Sequence, residues 1–134
     1  MKRILDAHAL MVFLEKEPGY EKIEALFTAA VERDDNLLIT AVNLGEVFYI
    51  ILRECGEDKA REVEEMIKTL PIEIIEADWS LTREAAKLKA YNKMSYADCF
   101  AAALAVMRRG ELITGDPEFR AVENQIKIMW VISK

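Results

Sequence analysis

Histidine and cysteine are scarce in this chain, and their scarcity excludes several kinds of catalytic site. The sequence has one histidine, His8, and two cysteines. No spacing of these residues matches a zinc ligand set, and no Ser–His–Asp triad is evident because His8 would be its only base. Cys55 and Cys99 lie in apolar helical stretches, where we expect small buried side chains in a reducing compartment rather than a disulfide.

Glycine, proline and long apolar runs are also scarce. With five glycines and three prolines, the chain has no Gly-rich phosphate loop, which disfavours P-loop NTPases and dinucleotide enzymes. No apolar run approaches the length needed to cross a bilayer, so we expect no membrane partner. We also expect no signal peptide, because the chain enters a strand at residues 2–5. Together these absences predict a cytoplasmic protein.

Length and composition predict one compact domain spanning residues 1–134. A chain of this size can bury a core without disulfides. Hydrophobic residues make up 52% and charged residues 31%, which excludes disorder. The net charge of −6 argues at first against nucleic acid as a partner. Two divalent cations at a site of four acids would, however, change −6 to −2.

Six of the eighteen basic residues lie in two stretches that could hold a phosphate backbone locally. The alternative is a pair of solvated helix faces. The residues are Arg83, Lys87, Lys89 and Lys93 in the first stretch and Arg108 and Arg109 in the second.

Alternation of short apolar stretches with helix-period stretches predicts an α/β fold. The expected strands span 2–6, 37–40, 72–75, 111–114 and 127–132. The expected helices span 7–16, 20–33, 42–55, 59–70, 78–91 and 95–109, with a short helix beginning at Pro117. Right-handed crossovers then give a mainly parallel five-stranded sheet with helices on both faces, a three-layer α/β/α sandwich.

Four acids lie where this sheet would bind a ligand. Asp6 and Asp116 follow strands, and Glu46 and Asp98 lie in the first turns of helices. Because carboxyl ends of parallel strands meet at one edge, all four should share a crevice. Converging carboxylates repel one another unless a divalent cation or shared protons hold them. A metal-dependent reaction is therefore the leading hypothesis.

Each acid also has a simpler interpretation. Asp6 and Asp116 are credible helix N-caps. Ser95-x-x-Asp98 matches a capping box, in which Asp98 would serve the backbone. Glu46 borders a buried helical stripe, where a carboxylate needs a partner or a metal. The coincidence of all four at one edge favours the metal hypothesis.

Polar neighbours of the acids have both functional and simpler interpretations. Asn43, Ser95 and Thr114 could orient the carboxylates through hydrogen bonds, although helix capping is the alternative for Ser95. His8 could contact substrate, bind metal or tune a pKa. The alternative is a partly exposed residue in a first helical turn.

Four segments of the chain carry a resemblance to a known family. They are Ile4-Leu5-Asp6, Asn43-Leu-Gly-Glu46-Val, Ser95-Tyr-Ala-Asp98-Cys-Phe and Leu112-Ile-Thr-Gly-Asp116-Pro-Glu-Phe119. In order and spacing they resemble the PIN domain family, and most closely the VapC-type toxins of bacterial and archaeal toxin–antitoxin pairs. The resemblance covers essentially the whole chain. It implies that Asp6, Glu46, Asp98 and Asp116 bind Mg²⁺ or Mn²⁺, with Ser95 and Thr114 at flanking polar positions. His8 departs from the family, which usually has a small hydroxyl residue there.

The resemblance also implies an activity and partners. These are metal-dependent phosphodiester hydrolysis of RNA, an antitoxin that occludes the cleft, and a homodimer for which helices 42–55 and 20–31 could supply surface. One alternative is a non-catalytic PIN-like module that binds RNA or protein. Another is a Mg²⁺-dependent hydrolase of small phosphate esters. A phosphoaspartate mechanism, however, would expect a second acid two positions after Asp6, where His8 stands.

Overall fold

A computed structural model describes residues 1–131 of the chain. Its five strands form one sheet in the order β3-β2-β1-β4-β5, and every pairing is parallel. This confirms the predicted parallel sheet. The last strand was expected to reach residue 132, which lies outside the described residues. The strands are β1 (Arg3–Leu5), β2 (Leu37–Thr40), β3 (Ile72–Ile75), β4 (Glu111–Thr114) and β5 (Lys127–Trp130).

Helices cover both faces of the sheet, as the sequence predicted. Consecutive residues of β2 show why: Leu38 packs into one core, and Leu37 and Ile39 pack into the other. Helices α1 to α4 cover the second core, and α5, α6 and a 3₁₀ helix cover the first. The helices are α1 (Ala7–Leu14), α2 (Tyr20–Arg33), α3 (Ala41–Cys55), α4 (Glu57–Ile67), α5 (Trp79–Tyr91) and α6 (Tyr96–Arg108), and the 3₁₀ helix is Pro117–Val122.

Three helix boundaries differ from expectation by two or more residues, and one expected burial is not observed. Helix α1 ends at Leu14, because Lys16 adopts a left-handed backbone with φ 52°. Helix α4 begins at Glu57, since Gly56 both ends α3 and starts α4 with φ 88°. Helix α4 ends at Ile67 rather than at residue 70. Cys99 is buried as expected, but Cys55 is exposed at the end of α3. The expectation of two buried thiols was therefore wrong for one of them.

The strand order places a crevice beside β1. The chain extends the sheet from β1 to β2 and β3 on one side, then returns to add β4 and β5 on the other. The direction of strand addition thus reverses between β1 and β4, and ligands bind at such switch points beyond the carboxyl ends of the strands. Asp6 directly follows β1, and Asp116 follows β4 after one glycine.

Helix α6 packs onto β1, β2 and β4, and its buried stretch contains four alanines beside Phe100 and Leu104. These alanines are 0–1% exposed, namely Ala101, Ala102, Ala103 and Ala105. Close packing fixes the position of the α6 N-terminus, which carries Asp98. Within residues 1–131, no helix has both the length and the apolar character that crossing a membrane requires.

Candidate metal centre

Asp6 serves as a helix cap and also lies in the crevice, so the two interpretations of this residue are compatible. Its Oδ1 accepts a hydrogen bond from Ala9 N at 2.7 Å, capping α1. Its Oδ2 accepts from Thr114 Oγ1 at 2.5 Å, and the residue is 1% exposed. Burial raises the Asp6 pKa to about 7; the charges of Asp116 and Glu46 also raise it, while the two hydrogen bonds lower it.

Thr114 links the acids that follow β1 and β4. Its buried hydroxyl donates to Asp6 and accepts a hydrogen bond from Asp116 N at 3.0 Å. The Asp116 Oδ1 in turn accepts from Glu118 N at 2.9 Å and so caps the 3₁₀ helix. The Thr114 hydroxyl therefore orients the Asp6 carboxylate directly and holds the backbone of Asp116.

Asn43 orients Glu46 and joins two helices. The buried amide Nδ2 donates to Glu46 Oε1 at 3.1 Å and to the Ala97 carbonyl of α6 at 3.0 Å. Its Oδ1 accepts from Thr40 Oγ1 at 2.5 Å, so the amide cannot rotate without losing several partners. Burial raises the Glu46 pKa, and the negative charge of Asp116 raises it further, against the opposing effect of the Asn43 bond.

The capping box expected at Ser95 and Asp98 forms only in part. Ser95 Oγ accepts from Asp98 N at 3.1 Å, which caps α6. The reciprocal bond is absent, because Ser95 N donates to Glu118 Oε1 instead. Burial raises the Asp98 pKa to about 8, and the charges of Asp116, Asp6, Glu118 and Glu46 contribute to that rise.

Glu118, which sequence reasoning missed, forms a group of three acids with Asp98 and Asp116. Asp98, Asp116 and Glu118 each offer a carboxylate oxygen, and these oxygens lie within 4.8 Å of one another. Asp6 and Glu46 are outside this trio, although their charges affect the pKa values within the crevice. The available signal was a second acid in the turn that Asp116 begins.

The donor set fits a hard divalent cation. Every candidate ligand atom is a carboxylate oxygen, the donor that Mg²⁺ and Mn²⁺ prefer. Without a cation, burial and mutual repulsion favour protonated forms of Asp6 and Asp98 up to about neutral pH. A bound cation would reverse that preference.

His8 lies beside the crevice without a hydrogen bond to any acid of residues 1–131. Its Nδ1 is buried and lacks a partner among the described residues. The imidazole occupies the space next to Gly115, where an added Cβ would lie 2.6 Å from His8 Cε1. His8 therefore packs against the turn that leads to Asp116.

The basic residues of α5 and α6 are exposed, in keeping with solvated helix faces. Lys87 pairs with Glu84 at 3.4 Å, and Lys89 Nζ donates to the Met94 carbonyl at 2.7 Å. Arg108 is at the end of α6 remote from Asp98. The second basic stretch therefore lies away from Asp98.

Comparison with known proteins identifies the family. The PIN domain model matches residues 3–125, so the chain belongs to the PIN domain family. No curated protein sequence matches the chain.

Solved structures of similar fold include two toxin–antitoxin complexes and a toxin. VapBC2 from Rickettsia felis, bound to a promoter DNA fragment, aligns with TM-score 0.76 and 17% identity over 96% of this chain and 98% of that one. DNA-bound VapBC from Salmonella typhimurium aligns with TM-score 0.74 and 19% identity over 98% of this chain and 99% of that one. VapC20 from Mycobacterium tuberculosis is described as a sarcin–ricin loop cleaving toxin. It aligns with TM-score 0.68 and 12% identity over 90% of this chain and 95% of that one.

Proposed function

We propose that this chain is a Mg²⁺- or Mn²⁺-dependent endoribonuclease, the toxin of a VapBC-type pair that acts in the cytoplasm. The observation that carries the proposal is the trio Asp98, Asp116 and Glu118 at the switch-point crevice of a PIN domain. The similarity in fold to a toxin that cleaves an RNA loop supports RNA as the substrate class.

The cation would be held by Asp6, Glu46, Asp98 and Asp116. When bound, the cation would supply activation of water and stabilisation of charge on phosphoryl oxygens. We assign both metal binding and catalysis to the four acids that the sequence indicated.

The protein's contribution is to hold these carboxylates in fixed orientations before any ligand arrives. Thr114 and the α1 backbone hold Asp6, while Asn43 holds Glu46. Supporting hydrogen bonds of this kind reduce the reorganisation that metal binding requires. Because Asp6 and Asp98 have raised pKa values, they would release protons as the cation binds near neutral pH.

An antitoxin and a second copy of the chain are the proposed protein partners. The similarity to VapBC complexes supports the antitoxin. An apolar groove of about 470 Å³ between α3 and α4 offers it a surface. We expect a small protein encoded beside this one to form a stable complex that lowers nuclease activity; a complex with undiminished activity would contradict its role as an antitoxin.

Exposed apolar side chains on α2 and α3 support the homodimer. Val31 is 68% exposed and Tyr49 is 50% exposed. Such residues are common at protein interfaces, although single exposed apolar residues also occur on monomers. Sedimentation at high protein concentration tests the proposal, and a strict monomer would contradict it.

Calorimetric titration with Mn²⁺ tests the metal site without knowledge of the RNA target. We expect wild type to bind and Asp98→Asn to lose at least about tenfold in affinity, because a ligand carboxylate is replaced by an amide. Asp78→Asn is the matched control, since Asp78 caps α5 in another part of the chain and asparagine caps equally well. Absence of Mn²⁺ binding by folded, partner-free wild type would favour a non-catalytic binding module instead.

A further inference from the structure

The N-terminus of α6 is capped by two residues from different parts of the chain. A helix begins with backbone N–H groups that have no partner within the helix. In a capping box, the acid three residues after the cap returns a bond to the cap residue's own N–H. Asp98 has that position relative to Ser95, yet the Ser95 N–H donates to Glu118 Oε1 across 23 residues of chain.

The structure around Glu118 explains why it reaches α6. Its backbone N–H donates to Asp116 Oδ1 at 2.9 Å, and Asp116 N is held by Thr114 Oγ1 at the end of β4. The next residue, Phe119, is fully buried in the core that contains α6. Glu118 is thus held from both sides in the first turn of the 3₁₀ helix.

The same arrangement leaves the Asp98 side chain free of backbone bonds. Within residues 1–131, the Asp98 carboxylate accepts no hydrogen bond, although its own N–H is capped by Ser95 Oγ. One of its oxygens lies within 4.8 Å of oxygens of Asp116 and Glu118. The carboxylate is therefore available in the crevice rather than committed to the helix end.

We propose that Glu118 is a positioning residue that caps α6 in place of Asp98 and thereby keeps the Asp98 carboxylate available for a cation. The role of Asp98 toward a cation rests on the proposed metal-dependent function, whereas the capping of α6 by Glu118 does not. Glu118 acts through its acceptor oxygen on Ser95 N, so an uncharged acceptor of the same shape can replace it. This distinguishes a positioning role from a role as a metal ligand, which requires the charge.

Amide hydrogen exchange of Ser95 in the metal-free protein tests the capping. Glu118→Ala removes a hydrogen bond to a charged group, so it should speed exchange by about tenfold or more. Glu118→Gln should stay closer to wild type, because the amide oxygen still accepts. Asp98→Ala should leave Ser95 protected. Protection of Ser95 retained in Glu118→Ala, or fast exchange in an Asp98→Ala protein that folds normally, would overturn the proposal.

Mn²⁺ affinity tests the consequence for Asp98. Removing a residue that orients a metal ligand typically costs 10–100-fold in affinity, which is the loss that we expect for Glu118→Ala. Glu118→Gln should remain within about threefold of wild type, and Glu123→Ala, an exposed acid just beyond the same 3₁₀ helix, should bind normally. Equal losses in Glu118→Gln and Glu118→Ala would show that binding depends on the charge of Glu118 rather than on its acceptor oxygen, and would overturn the positioning role. Failure of wild type to bind Mn²⁺ would reject the proposed function, while Ser95 exchange would still decide the capping.

Discussion

At the scale of single residues, the same hydrogen bonds that cap helices also position the acids of the crevice. Asp6 caps α1 with one oxygen and accepts from Thr114 with the other. Asp116 likewise caps the 3₁₀ helix. A helix N-terminus favours negative charge. Carboxylates that cap helices beside the crevice therefore repel one another at a lower free-energy cost. The choice between cap and metal ligand that the sequence posed is therefore not exclusive for these two acids.

The contact between His8 and Gly115 gives a prediction at the same scale. Gly115→Ala places a Cβ 2.6 Å from His8 Cε1, and we expect overpacking to lower the free energy of unfolding by about 1–3 kcal/mol. Adding His8→Ser should recover most of that loss, which a double-mutant cycle by urea unfolding would measure. Gly45→Ala is the control, because its Cβ meets nothing within 4 Å and alanine favours the helix. Additive effects of the two substitutions would contradict a direct contact.

At the scale of elements, local sequence patterns predicted the strands, the parallel sheet and the helices on both faces, but not every contact between elements. Periodicity and turn residues are local, so they locate β1, β4 and the residues that follow them. Glu118 was missed because its bond to Ser95 depends on packing of the 3₁₀ helix against α6, which no local pattern encodes. Helix α4 was expected to begin at Lys59, since nothing in the sequence shows that Gly56 would serve two helices.

Substitution of Asn43 tests the hydrogen bond that joins α3 to α6. Asn43→Ala removes the amide that donates to Glu46 and to the Ala97 carbonyl, which leaves two part-buried acceptors unpaired. We expect a loss of about 1–3 kcal/mol in unfolding free energy and weaker Mn²⁺ binding, because Glu46 loses its orientation. Asn36→Ala, at an exposed position before β2, should change neither quantity. Wild-type Mn²⁺ affinity in Asn43→Ala would show that the amide supports the fold without shaping the site.

At the scale of the whole molecule, acids with raised pKa values link folding to pH. An unfolded aspartate has a pKa near 3.8, whereas the folded values are about 7 for Asp6 and about 8 for Asp98. Between pH 4 and 8 the folded protein therefore binds protons that the unfolded chain has released. The contribution of these two acids to stability is greatest below the unfolded pKa and falls as pH rises through the folded values. Most globular proteins show the opposite trend across the acid part of this range.

Urea unfolding of the metal-free protein across this pH range, with a chelator present, tests the linkage. We expect wild type to lose stability as pH rises, and Asp98→Asn to exceed wild type by at least about 1 kcal/mol at pH 8 but to match it near pH 4, because the amide does not titrate. Asp78→Asn should follow wild type throughout, since Asp78 lies outside the crevice. Saturating Mn²⁺ should remove most of the decline by favouring the charged carboxylates. A metal-free stability that stays level or increases from pH 4 to 8 would show that the crevice acids ionise without cost, and the electrostatic basis for a cation there would be lost.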